Sequence, residues 1–149
     1  MGLGQRIQRG AGGVTRDEIV RMERCHVKAW PAFETRDIQG WQWRYSGGGS
    51  QRANSVSTVD FTGDDPEQAI SAAEDMYRSR NTVARFQTFD LTQPAGLDER
   101  LRARGYRETE ATVTMVKPIA ARDAPPDTER YDTASVGWRE VYLGAITEN

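Results

Sequence analysis

The chain is poor in the residues that most often build metal centres and covalent frameworks. It has one cysteine, Cys25, and one histidine, His26, among 149 residues. A single cysteine excludes an internal disulfide framework and suits a reducing compartment. Cys25 and His26 are neighbours on a helical stretch, about 100° apart around its axis, so they share no face. No second histidine or cysteine exists to complete a tetrahedral set, and no metal is expected. The same geometry argues against a Cys25–His26 nucleophile, so Cys25 reads as buried filler and His26 as a packed helix histidine. An excess of one charge is missing too, since 20 Lys and Arg stand against 22 Asp and Glu. A nucleic-acid-binding domain normally carries a basic surplus, and none is expected to bind here. No run approaches the roughly 20 apolar residues of a membrane span. Residues 1–13 hold Arg6 and Arg9 but lack the apolar core of a secretory signal. These absences lead to the expectation of a soluble cytoplasmic chain the size of one domain.

What is present reads as an α+β fold. Residues 1–13 contain five glycines and few large side chains, so residues 1–14 are expected to be a flexible tail. Thr15-Arg16-Asp17-Glu18 is a capping box, followed by Ile19, Met22, His26 and Ala29 at helical spacing until Pro31 stops the helix. Trp41, Trp43 and Tyr45 alternate with Gln42 and Arg44, the pattern of a half-buried strand. Ser46–Ser50 reads as a hairpin turn, with Arg52–Phe61 as the returning arm. Asp65 and Pro66 mark a helix start, and Ala69, Ile70, Ala73, Met76 and Tyr77 form its apolar face. A strand over Val83–Phe89, a short helix holding Leu97 and Leu101 and closed by Gly105, and a strand over Thr112–Val116 complete a domain at 15–117. Residues 118–130, with three prolines and five charges, form a linker. In 131–149, Trp138, Val141, Tyr142 and Ile146 recur at helical spacing, predicting an amphipathic helix that packs back on the domain or meets a partner.

Few features invite chemistry. The Ser46–Ser50 glycines, flanked by Arg44 and Arg52, offer an anion cradle, but they connect strand to strand rather than opening a helix. Trp41, Trp43 and Tyr45 beside Arg44 and Arg52 have the composition of a stacking platform, yet the same alternation makes a core face. Glu34 and Asp37 flank the first strand and could act as bases, as many solvated acids could.

The succession of elements resembles the GNAT acetyltransferase superfamily. The stretch Leu97–Tyr106 followed by Thr112–Lys117 is similar to the part of that fold where a helix ends in a glycine-aromatic pair before a strand. Ala29–Ala32, Gly40-Trp41, Arg44–Gly48 and Arg52–Val56 resemble the first half of two-part GNAT proteins, in which a degenerate half precedes one that binds acetyl-CoA. The resemblance covers roughly residues 17–146. It implies a mixed, mostly antiparallel sheet flanked by helices, and acetyl-CoA as the family's cofactor. Members hold the CoA pyrophosphate on an Arg/Gln-x-x-Gly-x-Gly/Ala turn at the N-terminus of the central helix. Here the corresponding helix begins Gly63-Asp64-Asp65-Pro66-Glu67-Gln68, where acids and a proline stand in place of that motif.

The resemblance therefore implies the non-CoA-binding N-terminal part of an N-acetyltransferase, inactive alone, that contributes the acceptor cleft or an interface. Arg44, Arg52, Asn54 and Ser55 are the expected contacts to a small amine substrate. The plainer alternative has Asn54 and Ser55 satisfying backbone and the arginines solvated. Trp138, Val141, Tyr142 and Ile146 would form an interface with a second copy or with a CoA-binding half. A stand-alone ligand- or protein-binding homodimer, and a complete acetyltransferase with an atypical cofactor site, are the alternatives.

Overall fold

The computed structural model describes residues 2–7 (backbone), 13–116, 132–133, 135–138 and 140. The chain divides into two units, Met1–Lys117 and Pro118–Asn149, each treated by itself.

Helix α1 (Arg16–Ala29) starts at the expected capping box. The Glu18 amide donates to Thr15 Oγ1 at 3.3 Å, and the Thr15 amide donates to Glu18 Oε2 at 2.8 Å. Strand β2 (Glu34–Ile38) then pairs antiparallel with β3 (Trp41–Tyr45), in register Ile38 to Trp41. This hairpin corrects the sequence reading, which began the first strand at Trp41 and left Glu34 and Asp37 outside it. Thr35, Arg36 and Asp37 carry no apolar alternation, so their pairing rests on backbone bonds that side-chain patterning does not report. Its turn places Gln39 and Gly40 at φ 54° and 93°, the left-handed pair that a two-residue hairpin needs. A Cβ on Gly40 would lie 2.8 Å from the Thr62 amide nitrogen, so space and backbone both select glycine there.

After a 3-10 turn at Arg52–Asn54, the short strand β4 (Val56–Ser57) pairs antiparallel with β3 and parallel with β5 (Phe86–Phe89). Helix α2 (Pro66–Arg78) makes the crossover between those parallel strands. Helix α3 (Leu97–Ala103) and strand β6 (Glu108–Thr114) follow, with Gly105 at φ 86° closing α3 as expected. The α+β class and the mixed sheet are as expected. Among β2 to β5 two junctions are antiparallel and one is parallel. Strand β1 (Gly2–Ile7) lies between β5 and β6, parallel to both, giving the order β2-β3-β4-β5-β1-β6. Residues 2–7 are thus strand where composition indicated a flexible tail. Backbone pairing with two neighbours supplies what glycine-rich side chains do not.

The core lies between α2 and one sheet face. Ala69, Ile70, Ala73 and Tyr77 of α2 bury against Ile38, Trp41, Trp43, Val56 and Phe86, with Leu97 and Leu101 from α3. Trp43 and Tyr77 ring centroids are 5.0 Å apart, and the Trp41 indole donates to the Gln93 carbonyl at 2.7 Å. Burying each large side chain contributes roughly 1.5–3 kcal/mol. Cys25, expected inside, is exposed, because α1 buries a single side chain and that one is Glu23.

Candidate functional site

The N-terminus of α2 is closed by its own chain. Asp65 Oδ1 accepts from the Gln68 amide at 2.9 Å, and Pro66 occupies the first turn without an N–H. Glu67 accepts from Arg100 Nη1 and Arg104 Nε of α3, each at 2.9 Å. Those two guanidinium groups hold the Glu67 carboxyl below its ordinary range. Arg104 also reaches Glu74 at 3.0 Å, and Tyr106 donates its hydroxyl to the same carboxylate. This end of the domain is a solvated ion-pair network that ties α2 to α3.

The expected contact residues sit at the other end of β3. Asn54 is buried, and its side chain makes three hydrogen bonds with the preceding loop. Its Oδ1 accepts from the Ser46 amide at 2.8 Å, and its Nδ2 donates to the carbonyls of Gly48 and Ser50 at 2.9 and 2.8 Å. Those bonds hold a loop in which Gly47, Gly48 and Gly49 all have positive φ. Ser55 is also buried, and its hydroxyl donates to the Arg52 carbonyl at 3.1 Å. Both side chains therefore satisfy backbone, as their plainer reading had it.

Arg44 departs from its strand phase. Alternation places it on the polar side of β3, yet it is 1% exposed. Its guanidinium donates to the Trp30 carbonyl at the end of α1, and its own carbonyl accepts from the Tyr77 hydroxyl at 2.7 Å. Burial lowers its pKa. Arg44 thus joins α1, β3 and α2 and is not the solvated arginine of the plainer sequence reading. Arg52 is half-buried, and its guanidinium makes no hydrogen bond among the described residues. Its charge acts on Glu23, which is 2% exposed and lies 3.4 Å from His26 Nδ1. Burial raises the Glu23 carboxyl above its ordinary value, against the opposing pull of His26 and then Arg52.

Sequence reasoning missed the sheet face under α1. There Asp37, Gln42 and Ser57 lie side by side on β2, β3 and β4 and line a cleft with Arg24 and Lys28 of α1 and with Asp60. The signal was present in β3, whose polar phase carries Gln42, but reading its partners required β2 as a strand. Among the described residues no cluster of three or more His, Cys, Asp or Glu is placed to hold a metal ion, and no helix is long and apolar enough to cross a membrane.

In the second unit, Val136–Trp138 is helical, the Trp138 amide donates to Ser135 Oγ at 3.2 Å, and the Trp138 side chain is exposed. Val141, Tyr142 and Ile146 lie outside the described residues.

No solved structure matches the chain. An uncharacterized N-acetyltransferase, YobR of Bacillus subtilis (strain 168), is 32% identical over 100 residues. That match covers 66% of this chain and 39% of YobR, so the chain spans well under half of that relative's length. A family described as "Probable histone acetyltransferase Rv0428c C-terminal" matches residues 16–147. With most of its length matched and a mixed α+β fold of the expected kind, the chain belongs to that acetyltransferase family, of GNAT type.

Proposed function

We propose that this domain serves an acetyl-CoA-dependent N-acetyltransferase as its non-CoA-binding part, forming a side of the acceptor cleft or an interface rather than catalysing transfer alone. The observation that carries the reading is the closed end of α2. A pyrophosphate needs free amides at a helix N-terminus. Here Asp65 takes one amide, Pro66 removes another, and Asp64, Asp65 and Glu67 oppose a second anion. The residues present do not fit the cofactor there. The reading concerns this cofactor end, wherever the domain falls within a longer chain. A cytoplasmic location accords with the lone cysteine.

Of the four expected contacts, Arg52 has a guanidinium without a hydrogen bond among the described residues and is the candidate to touch an acceptor, while Arg44, Asn54 and Ser55 position the elements around it. Calorimetric titration of the chain with acetyl-CoA tests the proposal. No heat of binding is expected up to millimolar cofactor, and saturable binding at micromolar cofactor would overturn it.

A further inference from the structure

A helix lying over a sheet ordinarily buries an apolar face, and the row under α1 is polar throughout. Asp37 pairs with Gln42, and Gln42 with Ser57, so three polar residues cross three strands on one face. Ser57 is 5% exposed, yet neither its hydroxyl nor the Gln42 amide makes a hydrogen bond among the described residues. Gln42 is exposed, and both residues line the open cleft, so a polar ligand entering it can take the place of water on these groups. The space is about 490 Å³, the size of a small-molecule site.

The charges around this cleft narrow the chemistry. Arg24 and Asp60 neutralise each other through two contacts, at 3.1 and 2.6 Å, and brace α1 against the segment after β4. Arg36, also at the wall, is paired with Glu34 at 3.0 Å. Asp37 uses Oδ1 to accept from the Gly40 amide at 3.3 Å. What remains is the Lys28 ammonium and the second Asp37 carboxylate oxygen, neither with a partner among the described residues. One unpaired charge of each sign complements a ligand carrying one of each. A dicarboxylate would oppose Asp37, and a diamine would oppose Lys28.

We propose that the cleft between α1 and the β2–β3–β4 face binds a small zwitterion of the amino-acid or short-peptide class. The ligand's carboxylate sits on Lys28, its ammonium on Asp37, and its remaining polar groups on Gln42 and Ser57. Arg52, the acceptor contact put forward above, does not line this cleft, so the site is additional to that reading and does not rest on it. Its test contains no acetyl-CoA, so the two can fail separately.

The test is titration of the isotope-labelled full chain with triglycine, followed by amide chemical shifts, with N-acetyl-triglycine amide as the uncharged control. Saturable shifts at Lys28, Asp37, Gln42 and Ser57 are expected, with affinity about tenfold or more weaker for the control. Lys28→Gln and Asp37→Asn should each weaken triglycine by about tenfold. Asp37→Asn keeps the Oδ1 acceptor for Gly40, and the exposed Lys28→Gln decides alone if the other fails to fold. Absence of saturable shifts at millimolar triglycine, equal binding of the blocked peptide, or unchanged affinity in Lys28→Gln would each overturn the inference.

Discussion

Glu23 is held where a carboxylate is poorly served. It is nearly fully buried, its Oε1 accepts no hydrogen bond, and His26 Nδ1 stands 3.4 Å away. Desolvation raises its pKa, and the charges of His26 and Arg52 only partly oppose that. An acid whose folded pKa lies above its unfolded value binds more protons when folded, so stability falls as pH rises from the ordinary carboxylate range through the raised value. Glu23→Gln removes that penalty. It should raise thermal stability at pH 8 by about 1–2 kcal/mol, with the gain vanishing toward pH 4. Thermal melts of both proteins across that range check the sign. A variant less stable at pH 8 would mean that His26 and Arg52 outweigh burial. The residue types at positions 19–26 do not announce the burial of this charge. Helical spacing puts Glu23 on the inner face with Ile19, Met22 and His26, four residues after the first and three before the last, but a carboxylate there reads as solvated unless its burial is seen. Arg44 hid for a related reason, since its partner is the Trp30 backbone carbonyl rather than a side chain.

Among the elements, those written in side-chain chemistry were legible. The Thr15–Glu18 box, the Asp65-Pro66 start of α2 and Gly105 after α3 each satisfy or replace specific backbone groups, and each stands where expected. Strands β1 and β2 were not legible, because glycine in one and a polar run in the other leave pairing to the backbone. The unread β2 also hid the cleft, since Asp37 joins Gln42 only across that hairpin. The hairpin depends on Gly40, whose φ of 93° and 2.8 Å clearance to the Thr62 amide exclude a Cβ. Thr62 in turn donates to the Gln39 carbonyl at 2.8 Å, docking the turn on the loop before α2. Gly40→Ala should therefore destabilise the domain by about 1–3 kcal/mol. Denaturant unfolding measures the loss, and hydrogen exchange should show it first at the β2–β3 amides. An unchanged midpoint would mean that the turn relaxes at no cost.

At the scale of the whole chain, two boundaries disagree in a useful way. The family match runs to residue 147, whereas the first compact unit ends at Lys117. Among the described residues, the buried apolar side chains run from Ile38 to Leu101, all within that first unit. Folding stability comes from that burial, which a chain ending at Lys117 retains. A chain ending at Lys117 should keep cooperative unfolding, with a melting temperature within a few degrees of the full chain. Circular dichroism melts of the two chains decide this. Loss of the cooperative transition would show that the second unit completes the fold. Its retention would leave residues 118–149 to association, which sedimentation of the same two chains would detect as a difference in mass beyond that of the deleted segment.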